Sequence, residues 1–131
     1  MSETSPPDVG TLAGFDLTVD DAATIRDFYA SVIGWDVETL DVEDHQDYIM
    51  KVPGNGTWVA GVCHRLGPNA DLPPQWIVYV YVADLGSSMH RCVEGGGKVL
   101  AGPKGSDDND RYCVIEDPAG AVLALMQRVG S

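Results

Sequence analysis

Basic residues are scarce in this sequence. Eight Lys and Arg stand against twenty Asp and Glu, for a formal net charge of −12. The eight are scattered, so no basic patch is visible to neutralise phosphates, and nucleic acid is not expected as a partner. Long apolar runs are also missing, and none approaches the roughly 18 residues of a membrane span. Cysteine is limited to Cys63, Cys92 and Cys113, an odd number without close spacing. Residues 1–10 have neither a basic start nor an apolar stretch, so they are not read as a secretory signal. These shortages predict free thiols in a reducing cytoplasm, with the acidity serving solubility.

What is present suits one globular domain. The chain has 131 residues, 44% of them hydrophobic and 21% charged, enough to bury a core without metal or disulfide. Residues 1–10 read as a flexible N-terminal tail and 129–131 as a second tail, with the domain over 11–128. Residues 13–19 alternate like a strand, and Asp20 or Asp21 can cap the helix that follows. That helix carries Ala22, Ile25, Phe28, Tyr29, Val32 and Ile33 on one face and stops at Gly34. Extended chain over 35–40, an acidic loop over 41–47, a strand over 48–52, a turn over 53–56 and a strand over 57–64 complete a first unit.

The Pro-rich segment 65–74 reads as a linker, and then the pattern returns. A strand over 76–82 precedes a helix with Leu85, Met89, Cys92 and Val93, capped by Asp84 or Ser87 and ended by Gly95, Gly96 and Gly97. Extended chain over 98–100, a polar loop over 102–110, a strand over 112–116, a turn over 117–120 and a strand over 121–127 follow. Val19 and Val82 are 63 residues apart, as are Gly34 and Gly97. Tyr48 and Tyr112 are 64 apart, as are Gly56 and Gly120. Such constant spacing marks an internal repeat: two βαβββ units, over about 11–64 and 75–128. The expected fold is α+β, an eight-stranded curved mixed sheet with a central cleft.

The stretch FDLTVDDAATIRDFYASVIGW, from Phe15 to Trp35, together with YVYVADL, GGGKVLAGP and DPAG in the second half, resembles the vicinal-oxygen-chelate superfamily, the glyoxalase/bleomycin-resistance/dioxygenase-like domains. The resemblance covers about 11–128. It implies paired βαβββ units, frequent homodimers and, in many members, a divalent metal that polarises vicinal oxygens of a substrate. Other members, of the bleomycin-resistance type, bind small molecules without metal.

The family's metal-ligand positions fall here on Gly14, Ala60, Ile77 and Ala124, none of which has a donor atom. No metal and no other cofactor is therefore expected. If Gly14 faces the cleft, alternation brings Asp16 and Thr18 with it. The same parity places Trp58 and His64 with Ala60, Tyr79 and Tyr81 with Ile77, and Met126 with Ala124. Tyr48, Met50 and Tyr112 join this expected ligand-binding set. Asp16 and His64 are the candidate catalytic pair, for orienting a ligand or acting as a base. His45 and His90 are read as surface residues, and Asp117 as a turn former. The run 107–110 lacks the spacing of a calcium loop.

The function expected first is metal-free binding of a small aromatic or cationic molecule. The second is a lyase or isomerase of the glyoxalase type (lactoylglutathione lyase-like), with a rebuilt or absent metal site. The third is a non-catalytic dimeric interaction module.

Overall fold

A computed structural model describes residues 6–42, 44–66, 70–105 and 111–128. Its elements run β1 (Leu12–Val19), α1 (Ala22–Ile33), β2 (Asp36–Val42), β3 (His45–Lys51), β4 (Trp58–His64), β5 (Trp76–Val82), α2 (Leu85–Glu94), β6 (Lys98–Lys104), β7 (Tyr112–Glu116) and β8 (Val122–Gln127). The order is βαβββ, twice. The run 107–110 lies outside the described residues.

The chain divides into two compact units, one over Gly14–Ile77 and the other over Val78–Ser131 with the N-terminal residues up to Ala13. In the first, the strand order is β2-β3-β4-β1. The β2–β3 and β3–β4 pairs are antiparallel, and β4 lies parallel to β1. The second repeats this as β5-β8-β7-β6, with β5 parallel to β8 and the other pairs antiparallel. Part of the expected N-terminal tail is bonded to the second unit: the Gly10 N–H donates to the Tyr81 carbonyl at 2.9 Å, and the Arg128 guanidinium to the Pro7 carbonyl at 3.3 Å.

The helix starts follow from their caps. The Asp21 carboxylate accepts from the Thr24 N–H at 3.2 Å and from its hydroxyl at 2.8 Å, which satisfies a first-turn donor. Asp84 holds the same place before α2, accepting from the Ser87 N–H at 3.4 Å. The stops are less alike. Gly34 ends α1 at φ 93°, but after α2 the left-handed residue is Gly96 at φ 95°, one position before the Gly97 of the sequence register. Asp117 shapes the last turn, its Oδ1 accepting from the Ala119 and Ala121 N–H groups at 2.8 and 3.0 Å.

Two expected loops are shorter than their composition implied. Residues 41–47 are mostly strand, with Asp41 opposite Gln46 and Val42 opposite His45. The segment 102–110 gives up its first residues to β6, which runs through Pro103 to Lys104. Of the strands concerned, β2 and β6 stand at the ends of their units' orders, where polar residues and proline are tolerated. In the expected linker, Leu72 is buried.

Each helix covers one face of its own strands. Under α1 lie Ala22, Tyr48, Met50 and Val62, with Val19, Ile25, Tyr29, Trp35 and Trp76 packed around them. Under α2 lie Leu85, Cys113 and Leu125, with Val82, Met89, Val99, Ile115 and Leu123. These two clusters fix which strand residues point away from the helices, and those residues form the candidate site.

Candidate functional site

In the second unit, Val82, Leu123, Leu125, Cys113 and Ile115 pack toward α2. Alternation therefore turns Tyr79 and Tyr81 of β5, Ala124 and Met126 of β8, and Tyr112 and Val114 of β7 to the other face. Register aligns them in two rows. Tyr81, Met126, Tyr112 and Lys104 lie opposite one another across four strands, and Tyr79, Ala124 and Val114 form the next row. The Tyr79 and Tyr112 rings are 5.6 Å apart between centroids, and the Lys104 ammonium stands 6.0 Å from the Tyr112 centroid. That next row is buried, Ala124 and Val114 completely. Four of the sequence-predicted ligand residues, Tyr79, Tyr81, Tyr112 and Met126, thus share one sheet face.

The first unit departs from the expected parity. Tyr48 and Met50, placed in the ligand-binding set by sequence, are buried beneath α1. Val62 is buried with them, so Gly61 and Cys63 face away from the helix. Asp16 pairs with Gly61, and a Cβ on Gly61 would stand only 2.5 Å from the Asp16 carboxylate. Asp16, Gly61 and Cys63 therefore share the face opposite α1. His64 does not join them. It pairs with Val19 at the end of β4, its Nδ1 2.6 Å from the Gln46 carbonyl and its ring near Tyr48. The candidate catalytic pair Asp16 and His64 is not brought together.

The physical reason is one extra residue in β4. Met50 pairs with Ala60, but Lys51 pairs with Trp58, so Val59 is a bulge. A one-residue slip turns every later side chain to the other face. Trp58 lies across from Lys51 beyond the bulge and is 64% exposed.

Asp47 and Cys63 are the polar residues that the sequence reading missed. Asp47 Oδ1 accepts from the His64 N–H at 2.9 Å and lies 3.4 Å from His45 Nε2. Burial, with the charges of Asp16 and Asp47 close by, pushes the Cys63 thiol far above the usual range, so it stays protonated. The change of offset from 63 to 64 along the chain is the signal that could have exposed the error: at 63, Asp16–Gly61 in the first unit corresponds to Tyr79–Ala124 in the second. Of the histidines read as surface, His90 is an exposed partner of Glu94 at 3.3 Å, whereas His45 sits between Asp44 and Asp47.

Residues 11–125 match the family model of the glyoxalase/bleomycin resistance protein/dioxygenase superfamily. The chain belongs to that superfamily. Among its relatives is "Putative glyoxylase CFP32" of Mycobacterium bovis, 31% identical over 120 residues, a match that takes 90% of this chain and 46% of that protein. The "Anthracycline biosynthesis protein DnrV" of Streptomyces peucetius is 30% identical, over 91% of this chain and 47% of its own length. The chain thus spans about half the length of the curated relatives it matches. Among solved structures, methylmalonyl-CoA epimerase from Mycobacterium tuberculosis has the same fold at 18% identity and a TM-score of 0.55, with 97% of this chain and 92% of that one covered.

The superfamily's divalent metal does not fit the residues present. Gly14, Ala60, Ile77 and Ala124 offer no donor, and Gly61, which takes the place of Ala60 on the face of Asp16, offers none either. Among the described residues, no three His, Cys, Asp or Glu side chains converge as metal ligands.

Proposed function

We propose that this superfamily member binds a small aromatic or cationic molecule without a bound metal, at the sheet faces turned away from the helices. The observation that carries this reading is the row Tyr81, Met126, Tyr112 in the second unit, with Tyr79 5.6 Å from Tyr112. Tyrosine rings offer flat apolar surface with hydroxyl handles, the usual make-up of a small-ligand site. Their electron-rich faces also attract cations, and a net charge of −12 raises the local concentration of cations. The relative DnrV is named as an anthracycline biosynthesis protein, which supports an aromatic ligand. A homodimer in the cytoplasm goes with this reading.

The reading is tested by calorimetry with proflavine, a planar aromatic cation. Micromolar binding is expected, and the Tyr81→Ala variant should weaken it at least tenfold. Proflavine binding that is absent, or indifferent to Tyr81, would sink the reading. Elemental mass spectrometry after zinc, nickel, manganese or iron(II) soaking tests the other half of it, since near-stoichiometric retained metal contradicts metal-free binding.

The relative named as a glyoxylase favours a second reading, a glyoxalase-type isomerase. Asp16 is then the base to examine, beside the protonated Cys63. Turnover of a hemithioacetal that is lost in Asp16→Asn would favour this reading over pure binding.

A further inference from the structure

A pocket of about 340 Å³ opens beside the C-terminal turn of α1, lined by Phe15, Tyr29, Ile33, Trp35, Val59 and Ala60, with Trp76. It lies wholly within the first unit. It is on the α1 side of the strands, away from Asp16, and contains none of the tyrosines of the proposed ligand surface. Three of its walls are rings at steep angles: Tyr29 and Trp76 are 5.2 Å apart at 78°, and Trp35 and Trp76 are 6.1 Å apart at 71°. Phe15 and Ile33, 38% and 50% exposed, stand at its mouth.

The bulge at Val59 contributes to this pocket. It brings two successive residues of β4, Val59 and Ala60, to the same lining. Ala60 is small, so the floor beneath the rings is not filled. An unfilled apolar space forfeits the dispersion contacts of its lining, and a dry apolar cavity of ~150 Å³ already takes up benzene. A pocket of about 340 Å³ has room for two fused rings. Its walls carry no charged side chain. The Trp76 N–H is already spent, donating to the Tyr29 hydroxyl at 3.1 Å. The Tyr29 oxygen accepts that bond, and the lining that remains is almost wholly apolar.

We propose that this pocket is a second small-molecule site, for a neutral, flat, two-ring aromatic hydrocarbon. Charge separates it from the tyrosine surface, which is read as a site for aromatic cations. A fused ring enters between Phe15 and Ile33 and stacks against Trp35 and Trp76 over Ala60.

The probe is naphthalene, with naphthalene-2-sulfonate as the anionic control. Binding to the purified chain is read by equilibrium dialysis. Micromolar binding of naphthalene is expected, with the sulfonate at least tenfold weaker. Ala60→Leu fills the floor and should cost at least tenfold. Ile33→Trp narrows the mouth from an exposed position, so it keeps the test open should Ala60→Leu misfold. Tyr81→Ala, which should weaken proflavine binding, should leave naphthyl binding intact, so the two sites can fail separately. Absence of naphthyl binding up to the solubility limit, or binding indifferent to Ala60→Leu and Ile33→Trp, overturns the proposal. So does affinity that falls as chain concentration rises in step with dimerisation, because a second copy then covers the pocket.

Discussion

At the scale of single residues, Gly61 and Cys63 show how a site is made by what is small and what is protonated. Gly61 leaves the Asp16 carboxylate the space that any Cβ would take. Cys63, beside two carboxylates, is held as the neutral thiol, and burial pushes Cys113 up to about 11. Only the thiolate is nucleophilic, so neither cysteine should react in the folded protein at pH 8. Mass spectrometry after a short iodoacetamide pulse should find both unmodified, and both labelled once urea unfolds the chain. Rapid native labelling of Cys63 would mean that it is more open, or less crowded by Asp16 and Asp47, than described. The sequence shows these residue types but not their company, because the company comes from the parallel register of two distant strands.

Among the elements, the β2–β3 hairpin is the most informative. Its acidic and polar composition reads as a loop, yet its ladder is continuous from Asp36–Lys51 to Val42–His45. Cross-strand pairs sustain it, including Lys51 Nζ on Glu38 at 2.7 Å. At the other end, the hydrogen bond that the His45 ring donates to the Asp44 carboxylate, aided by the charge of Asp47, raises the His45 pKa above its ordinary value. A raised folded pKa means that protonation stabilises the fold. That contribution is fully present below the ordinary histidine value of about 6.5 and is lost as pH rises through the higher folded value. Urea midpoints should therefore fall between pH 6 and pH 8.5, and His45→Gln should reduce that fall. An unchanged pH profile in the variant would remove His45 from the account. The carboxyls of Asp21 and Asp44, held below the usual range by their hydrogen bonds, stay ionised across this window and do not mimic the effect.

For the whole molecule, charge is the dominant bulk property. At −12, self-repulsion works against the compact state and salt screens it. Raising sodium chloride from about 10 mM, where the Debye length is ~30 Å, to 150 mM, where it is ~8 Å, should raise the melting temperature by several degrees. Differential scanning calorimetry reads this directly, and a flat or falling response would show that local ion pairs outweigh net repulsion. The curated relatives are about twice as long as the part matched, so activities of those whole proteins carry over to this chain only as proposals.

Sequence alone determined the two βαβββ units, their helix caps and the tyrosine surface of the second half. These rest on local signals: period-two and helical patterns, Asp caps, turn glycines and a nearly constant offset of 63 or 64. Tertiary structure decided the first-half surface and the pocket. One bulged residue, Val59, reversed the parity of β4, and no local preference in 58–64 announces it. Burial of Tyr48 and Met50 under α1, the separation of Asp16 from His64, and the empty floor at Ala60 all follow from how that strand meets its neighbours. Pairing register is a long-range property. A pattern of period two constrains it only to within one residue, and one residue is the difference between the two faces of a sheet.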